Sequence, residues 1–304
     1  MPVSATRSEL LKKRLDRFTR VFRDAAPGDV PDLHDARVAS RRLRELVPIL
    51  QLEHSVARKL NRRLRRLTDR LGTVQELDVL VLLIDQLHAA RRRGGGALAR
   101  VGVHVARARD DARKRLLARV PVVEMSRLAR KLERVARDLR KAEGASSKAA
   151  ARSWRWAIEA RVARRASRLS TVMDEAGALY APERLHVVRI AVKKLRYAVE
   201  VAAEAAGATD GAGLRALQRG QDLLGRLHDL QVLIERVRRA QASLTPPSVT
   251  VWREFDALIG SLEDECRRLH ARYVRMRGAL EAIAERRGPR PDVSRSGAPT
   301  RSAG

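Results

Sequence analysis

Apolar residues recur along this chain at spacings of three and four, the period of amphipathic helices and not of strands. Between residues 4 and 25, Leu11, Leu15, Phe18 and Phe22 share one face, with Ser4 or Thr6 as candidate cap. Ala26-Pro27-Gly28-Asp29 breaks this helix, and Asp32 caps the next, which Pro48 should kink or stop. At about 100° per residue that second helix sorts into two sides. Ala36, Leu43, Leu46, Val47 and Leu50 form the apolar side, while His34, Arg37, Arg41 and Arg44 run along the other with Arg42 on the flank. A third helix over 54–93 places Leu60, Leu64, Leu67 and Leu71 beside a basic stripe of Lys59, Arg63, Arg66 and Arg70. Gly94-Gly95-Gly96 ends it, a fourth helix follows over 97–119, and beyond Pro121 an amphipathic stretch runs to about 142. Gly144-Ala145-Ser146-Ser147 is the most linker-like internal segment.

The second half repeats the plan, with helices expected over 148–177, 183–206, 211–242 and 249–286, Pro182 opening the second and Pro246-Pro247 the last turn. Leu33-His34-Asp35-Ala36-Arg37-Val38-Ala39-Ser40-Arg41-Arg42-Leu43-Arg44 returns 152 residues later as Leu185-His186-Val187-Val188-Arg189-Ile190-Ala191-Val192-Lys193-Lys194-Leu195-Arg196. Leu71-Gly72, followed by Gln75-Glu76-Leu77-Asp78, returns at nearly the same offset as Leu224-Gly225, followed by His228-Asp229-Leu230-Gln231. Two motifs in one order at one offset point to an internal duplication. The expected fold is all-α: about eight long helices forming two antiparallel four-helix bundles, over 1–143 and 148–286, related by a pseudo-two-fold axis. The motif helices would meet near that axis and line a central basic groove or pore. Residues 288–304, rich in Gly, Pro, Ser and Arg, read as a disordered basic tail.

Composition agrees with an all-helical core. Hydrophobic residues make up 44%, enough to exclude a disordered polyelectrolyte, and they are mostly the helix formers Leu and Ala, with Val. Charge adds something the periodicity does not contain. The net charge is +28, of which residues 1–146 carry +17 and the remainder +11, so the excess is not a basic tail on a neutral fold. Such self-repulsion calls for a polyanionic partner: nucleic acid, an anionic membrane surface or a phosphate polymer. Solvated helix faces in an Arg-rich chain are the plainer explanation, but they account less well for cations recurring at matched positions. The single Cys266 excludes a disulfide framework and a Cys-based zinc site. No leader-like apolar region follows Met1 and no run reaches membrane-span length, so an intracellular, cytoplasmic protein is expected.

The doubled pattern His34-x-x-Arg37-x-x-x-Arg41-Arg42-Leu43-Arg44 and His186-x-x-Arg189-x-x-x-Lys193-Lys194-Leu195-Arg196-Tyr197, with the two Leu-Gly segments, resembles the CHAD family of histidine-bearing helical domains over about 1–286. The resemblance implies two helical bundles around a central basic cavity, binding of inorganic polyphosphate and, in some members, association with polyphosphate granules. Many members carry an adjoining triphosphate-tunnel domain, which is not expected within these residues. Matched position by position, the polyanion ligands would be His34, Arg37, Arg41, Arg42, Arg44, His186, Arg189, Lys193, Lys194, Arg196 and Tyr197, with Arg62, Arg66, Arg215 and Arg219 on the third helices as a second tier. The family's Leu-Gly segment usually reads Arg-Asp-x-Asp; here the second copy lacks one carboxylate.

The chemistry suits the assignment. A planar guanidinium grips two phosphate oxygens, lysine adds a mobile point charge, and helical spacing sets the cations in a line. His34 and His186 either donate to phosphate or are satisfied structurally at the helix start. Glu76, Asp78 and Asp229 either orient the arginines or hold a metal with the histidines, which would make a phosphoanhydride-processing enzyme the lesser alternative. A nucleic-acid-binding helical protein is the main rival, weakened by only 3% aromatics for base stacking. No metalloprotease, P-loop, nucleophile-elbow or dinucleotide pattern occurs, so a binding module without catalysis or cofactor is expected. Trp154, Trp156 and Trp252 read as core or interface residues, and His54, His88, His104 and His270 as surface or packing residues.

Overall fold

The structure, a computed structural model, describes residues 5–23, 33–90, 96–119, 122–144, 148–208, 211–245 and 248–288. Asp32, residues 145–147 of the expected linker and the tail beyond 288 lie outside the described residues, while the linker's Gly144 is helical. Among those described there are nine α-helices and no strands. They are α1 (Arg7–Arg23), α2 (Leu33–Leu46), α3 (His54–Ala90), α4 (Gly96–Arg119), α5 (Val122–Gly144), α6 (Lys148–Ala176), α7 (Pro182–Ala206), α8 (Gly211–Ala242) and α9 (Val249–Arg287).

Local chemistry explains the boundaries. Thr6 and Glu9 form a reciprocal capping box at α1: Thr6 N–H donates to Glu9 Oε2 at 2.8 Å, and Glu9 N–H to Thr6 Oγ1 at 3.2 Å. Pro48 stops the α-helix as expected: α2 ends at Leu46 and gives way to a 3₁₀ turn, Val47–Ile49, that carries the proline. Pro182 occupies the first turn of α7, where its missing N–H costs nothing, and Gly207 closes the helix at φ 62°, a left-handed cap that suits glycine.

The count differs from the eight helices expected. The first half ends in two helices, α4 and α5, on either side of Pro121, where the second half ends in the single 39-residue α9. In the second half α6, α7, α8 and α9 pack each on the next and α9 returns to α6, a four-helix bundle. In the first half the principal packing runs as a row, α5–α1–α2–α3–α4, and α4 leans on α8 and α9. One contiguous leucine-rich core therefore passes from Leu10 on α1 to Ala284 on α9. Each fully buried leucine contributes on the order of 1.5–3 kcal/mol.

Besides the contacts of α4 with α8 and α9 and of the 3₁₀ turn with α6, α2 lies against α7 and α3 against α8. The two motif helices and the two Leu-Gly helices, far apart in sequence, converge there. The core sides of α2 and α7 are filled by Leu43, Leu46, Val188, Val192 and Leu195, all essentially fully buried. Their other sides are left facing each other.

Candidate functional site

Between those facing sides lies a trench of two cavities, which a third, bounded by α7, α8 and α9, adjoins. The middle one, about 600 Å³, is lined from α2 by Arg37 and Arg41, from α7 by His186, Arg189, Lys193 and Arg196, and from α3 and α8 by Gln75, Glu76, His228 and Asp229 among others. A second, about 430 Å³, shares Arg37, Arg41 and Lys193 with it and adds Arg44 and Lys194. A third, about 630 Å³, adjoins at His186 and His228 and opens toward Tyr180, Arg238 and Arg267.

Arg37 is held on two sides. Its Nη1 donates to Gln75 Oε1 at 2.6 Å and its Nη2 to Glu76 Oε1 at 3.4 Å. The guanidinium lies over Gly72, with Nη2 3.4 Å from where a Cβ would sit. Arg189 stands in the same relation to Gly225, its Nε 3.9 Å from that glycine's missing Cβ. The glycine of each Leu-Gly segment thus gives the motif arginine room to cross the neighbouring helix, a role the sequence pattern did not disclose.

The cations crowd one another. Among the described residues, no hydrogen bond or ion pair ties Arg41, Arg189 or Lys193 to a carboxylate. Burial, followed by the charges of Arg41, Arg189 and Arg37, pulls Lys193 down to about 7. Arg37 falls to about 10, first through burial and then through Arg41, with Glu76 opposing. Arg189 is lowered by burial, partly offset by Asp229, and the Asp229 carboxyl is itself raised by burial. Half-buried like charges that weaken one another's protonation are the mark of a cavity complementary to an anion.

His186 and His228 meet Nδ1 to Nδ1 at 3.1 Å, their ring centroids 4.4 Å apart. Such a contact needs one nitrogen to donate and the other to accept, so the pair carries one proton between those atoms. Burial, then Arg189, depresses both imidazoles, His228 to about 4.

The sequence model of the CHAD domain matches residues 9–238. The chain belongs to the CHAD family. The crystal structure of the CHAD domain from the plant Ricinus communis aligns with a TM-score of 0.59 and 21% identity, covering 94% of this chain and 93% of that one. PptA from Streptomyces chartreusis aligns with a TM-score of 0.63 and 16% identity, covering 91% and 99%. At these identities the likeness shows the fold. No curated protein matches the chain by sequence.

The remaining ligand positions expected from the CHAD pattern divide in two. Arg44, Lys194, Arg196 and Tyr197 line the trench with Arg37, Arg41, His186, Arg189 and Lys193. Arg196 is braced by Gln221 at 2.9 Å and by Glu200, and its guanidinium lies 4.6 Å from the centre of the Tyr197 ring. Arg42 points elsewhere: it is 3.5 Å from Glu200 and is not among the lining residues. Arg62, Arg66, Arg215 and Arg219 are exposed on α3 and α8 and also do not line the trench. His34 lies on the first turn of α2, and its side chain falls outside the described residues.

The carboxylates weighed as metal ligands are distributed among arginines. Glu76 takes Arg37, Asp78 takes Arg113 of α4 at 2.8 Å, and Asp229 faces Arg189. No group of three His, Cys, Asp or Glu residues suited to a metal occurs among the described residues. Sequence reasoning passed over a further anchor. Glu45, nearly buried, accepts from Arg161 at 2.8 Å and Arg165 at 3.3 Å, bringing α6 cations toward Lys194. Of the tryptophans Trp154 is core, whereas Trp156 and Trp252 are exposed. No helix among the described residues is long and apolar enough to cross a membrane.

Proposed function

We propose that this CHAD protein binds inorganic polyphosphate along the trench between α2 and α7 and does not turn it over. The observation that carries this reading is the convergence, from two helices onto one cavity, of Arg41, Arg189 and Lys193, none of which is hydrogen-bonded or ion-paired to a carboxylate among the described residues. A linear polyanion would supply the missing counter-charge continuously, first to Arg37, Arg41, Arg189 and Lys193, then to Arg44 and Lys194 in the adjoining cavity. The arginines are braced before any ligand arrives, by Gln75 and Glu76 at Arg37 and by Gln221 at Arg196, so binding costs little ordering. Membership of the CHAD family supports the same class of ligand. The carboxylates act as arginine supports, which agrees with binding in place of catalysis. In a cell such a protein would coat or anchor to polyphosphate granules in the cytoplasm.

Fluorescence anisotropy with labelled long-chain polyphosphate and with duplex DNA, over a salt series, tests the proposal. Polyphosphate binding is expected to persist at salt that abolishes DNA binding. Equal affinity and equal salt sensitivity would leave only a general polycation and favour the nucleic-acid reading. Gel analysis of the polymer after incubation with Mg²⁺ is expected to show unchanged chain length; shortening would overturn the non-enzymatic part.

A further inference from the structure

Lys193 differs from the other Lys and Arg cations of the middle cavity in one chemical respect: it alone carries an amine that can lose its proton and attack, since a guanidinium stays protonated and Lys194 lines only the adjoining cavity. Its side chain is half-buried, opens into both the 600 Å³ and 430 Å³ cavities, and has no carboxylate partner among the described residues. The charges around it come from every packed side: Arg37 and Arg41 on α2, Arg189 and Lys194 on α7, Glu76 on α3 and Asp229 on α8. An amine desolvated among cations is the usual setting of an activated lysine. The same guanidiniums form a receptor for a small phosphorylated compound, and either cavity has room for one.

We infer that Lys193 is an acylation site for acyl phosphates, the guanidiniums of Arg37, Arg41 and Arg189 holding the phosphate while the lysine amine attacks the carbonyl. In that step the Nζ lone pair forms a C–N bond to the acyl carbon. The bond from that carbon to the bridging oxygen breaks, inorganic phosphate leaves with the electron pair, and the surplus amine proton passes to phosphate or water. The product is a neutral amide and one cation fewer in the trench. Acylation would therefore weaken polyanion binding, which makes the site regulatory. This last consequence rests on the proposed polyphosphate function; the acylation itself requires only a neutral amine beside an anion receptor.

The depressed protonation of Lys193, about 7 against the ordinary 10.5, leaves roughly half of it neutral at pH 7. Part of that advantage is lost because a less basic amine is a weaker nucleophile. The full-length protein is incubated with acetyl phosphate from pH 6 to 9, and acetyl occupancy is mapped by mass spectrometry, with exposed Lys12 and Lys114 as internal references. Lys193 is expected to acetylate more than about tenfold faster than either at pH 7, and its rate to level off above pH 8. Tripolyphosphate should protect it while leaving the references unaffected. Labelling no faster than the references overturns the proposal. Equal preference for Lys193 with an uncharged acylating ester, unprotected by tripolyphosphate, overturns the phosphate-recruiting part. Polyphosphate binding by untreated protein, measured alongside, shows separately whether the trench function has failed.

Discussion

The guanidinium of Arg37 rests on Gly72, its Nη2 3.4 Å from the position of the absent Cβ, and Arg189 rests likewise on Gly225. Each contact joins a histidine-motif helix to a Leu-Gly helix. A glycine in a helix interior costs about 0.5–1 kcal/mol relative to alanine, so these two positions trade helix stability for arginine placement.

Gly225→Ala is expected to raise stability by up to about 1 kcal/mol, since the added methyl meets only ordinary contact at 3.9 Å. Gly225→Leu and Gly72→Leu, by contrast, must push the arginines out of the trench and weaken polyphosphate binding by roughly tenfold or more, the equivalent of one lost charge-assisted contact. Chemical denaturation and anisotropy on the same variants separate the two effects.

Arg41→Ala is expected to lower the slope of log affinity against log salt by about one, because one cation–phosphate contact is lost. Arg62→Ala and Arg66→Ala, on the exposed side of α3, should leave that slope nearly unchanged. A salt titration of the three variants checks the boundary of the trench.

Polyphosphate binding should be linked to protons. Lys193, lowered to about 7 in the free protein, is drawn back to its charged form by a neighbouring polyanion, so binding takes up a proton around neutrality. Affinity is then expected to fall as pH rises from about 7 to about 9. Calorimetry in buffers of different ionisation heat measures the uptake directly, and Lys193→Met should abolish it. For the unliganded fold the sign is opposite. Between about 7 and 10.5 the unfolded lysine holds its proton and the folded one does not, so this group makes stability rise with pH across that window.

The His186–His228 pair predicts an acid limb. The folded His228 is lowered to about 4 from 6.5, so between these values the unfolded state binds the extra proton and stability falls as pH falls. His228→Gln should flatten this limb, read from denaturation midpoints at about pH 4.5 and about pH 7.

Glu45 holds Arg161 and Arg165 in a nearly buried site, and Glu45→Ala leaves both guanidiniums short of an acceptor. The expected loss is about 1.5–3 kcal/mol of folding stability. Arg42→Ala should likewise act on stability more than on binding, because Arg42 faces Glu200. Denaturation curves for both, set beside their polyphosphate affinities, check the separation.

Much of this architecture was legible in the linear chain. A three-and-four periodicity allows only a helix to gather Leu43, Leu46 and Leu50 on one side and Arg37, Arg41 and Arg44 on the other, so the helical class and the cationic side come from spacing alone. The doubled motif pointed to the family for the same reason: residue types at fixed intervals are a one-dimensional property. Which cations face a common cavity is not. Arg41 and Arg42 are neighbours in sequence, yet one lines the trench and the other turns to Glu200, because about 100° of helical rotation sends them toward different partners. The exposed Arg62 and Arg66 carry the same chemistry as Arg41, and only the packing of α2 on α7 distinguishes them. The room left by Gly72 and Gly225, the contact of His228 with His186 and the hold of Glu45 on α6 all join residues distant in the chain. Residue order dictates the helices, their two-sided character and the family. Which charges are desolvated together is settled only by the folded arrangement, because burial and mutual repulsion act through space, and that space exists once α2 and α7 meet.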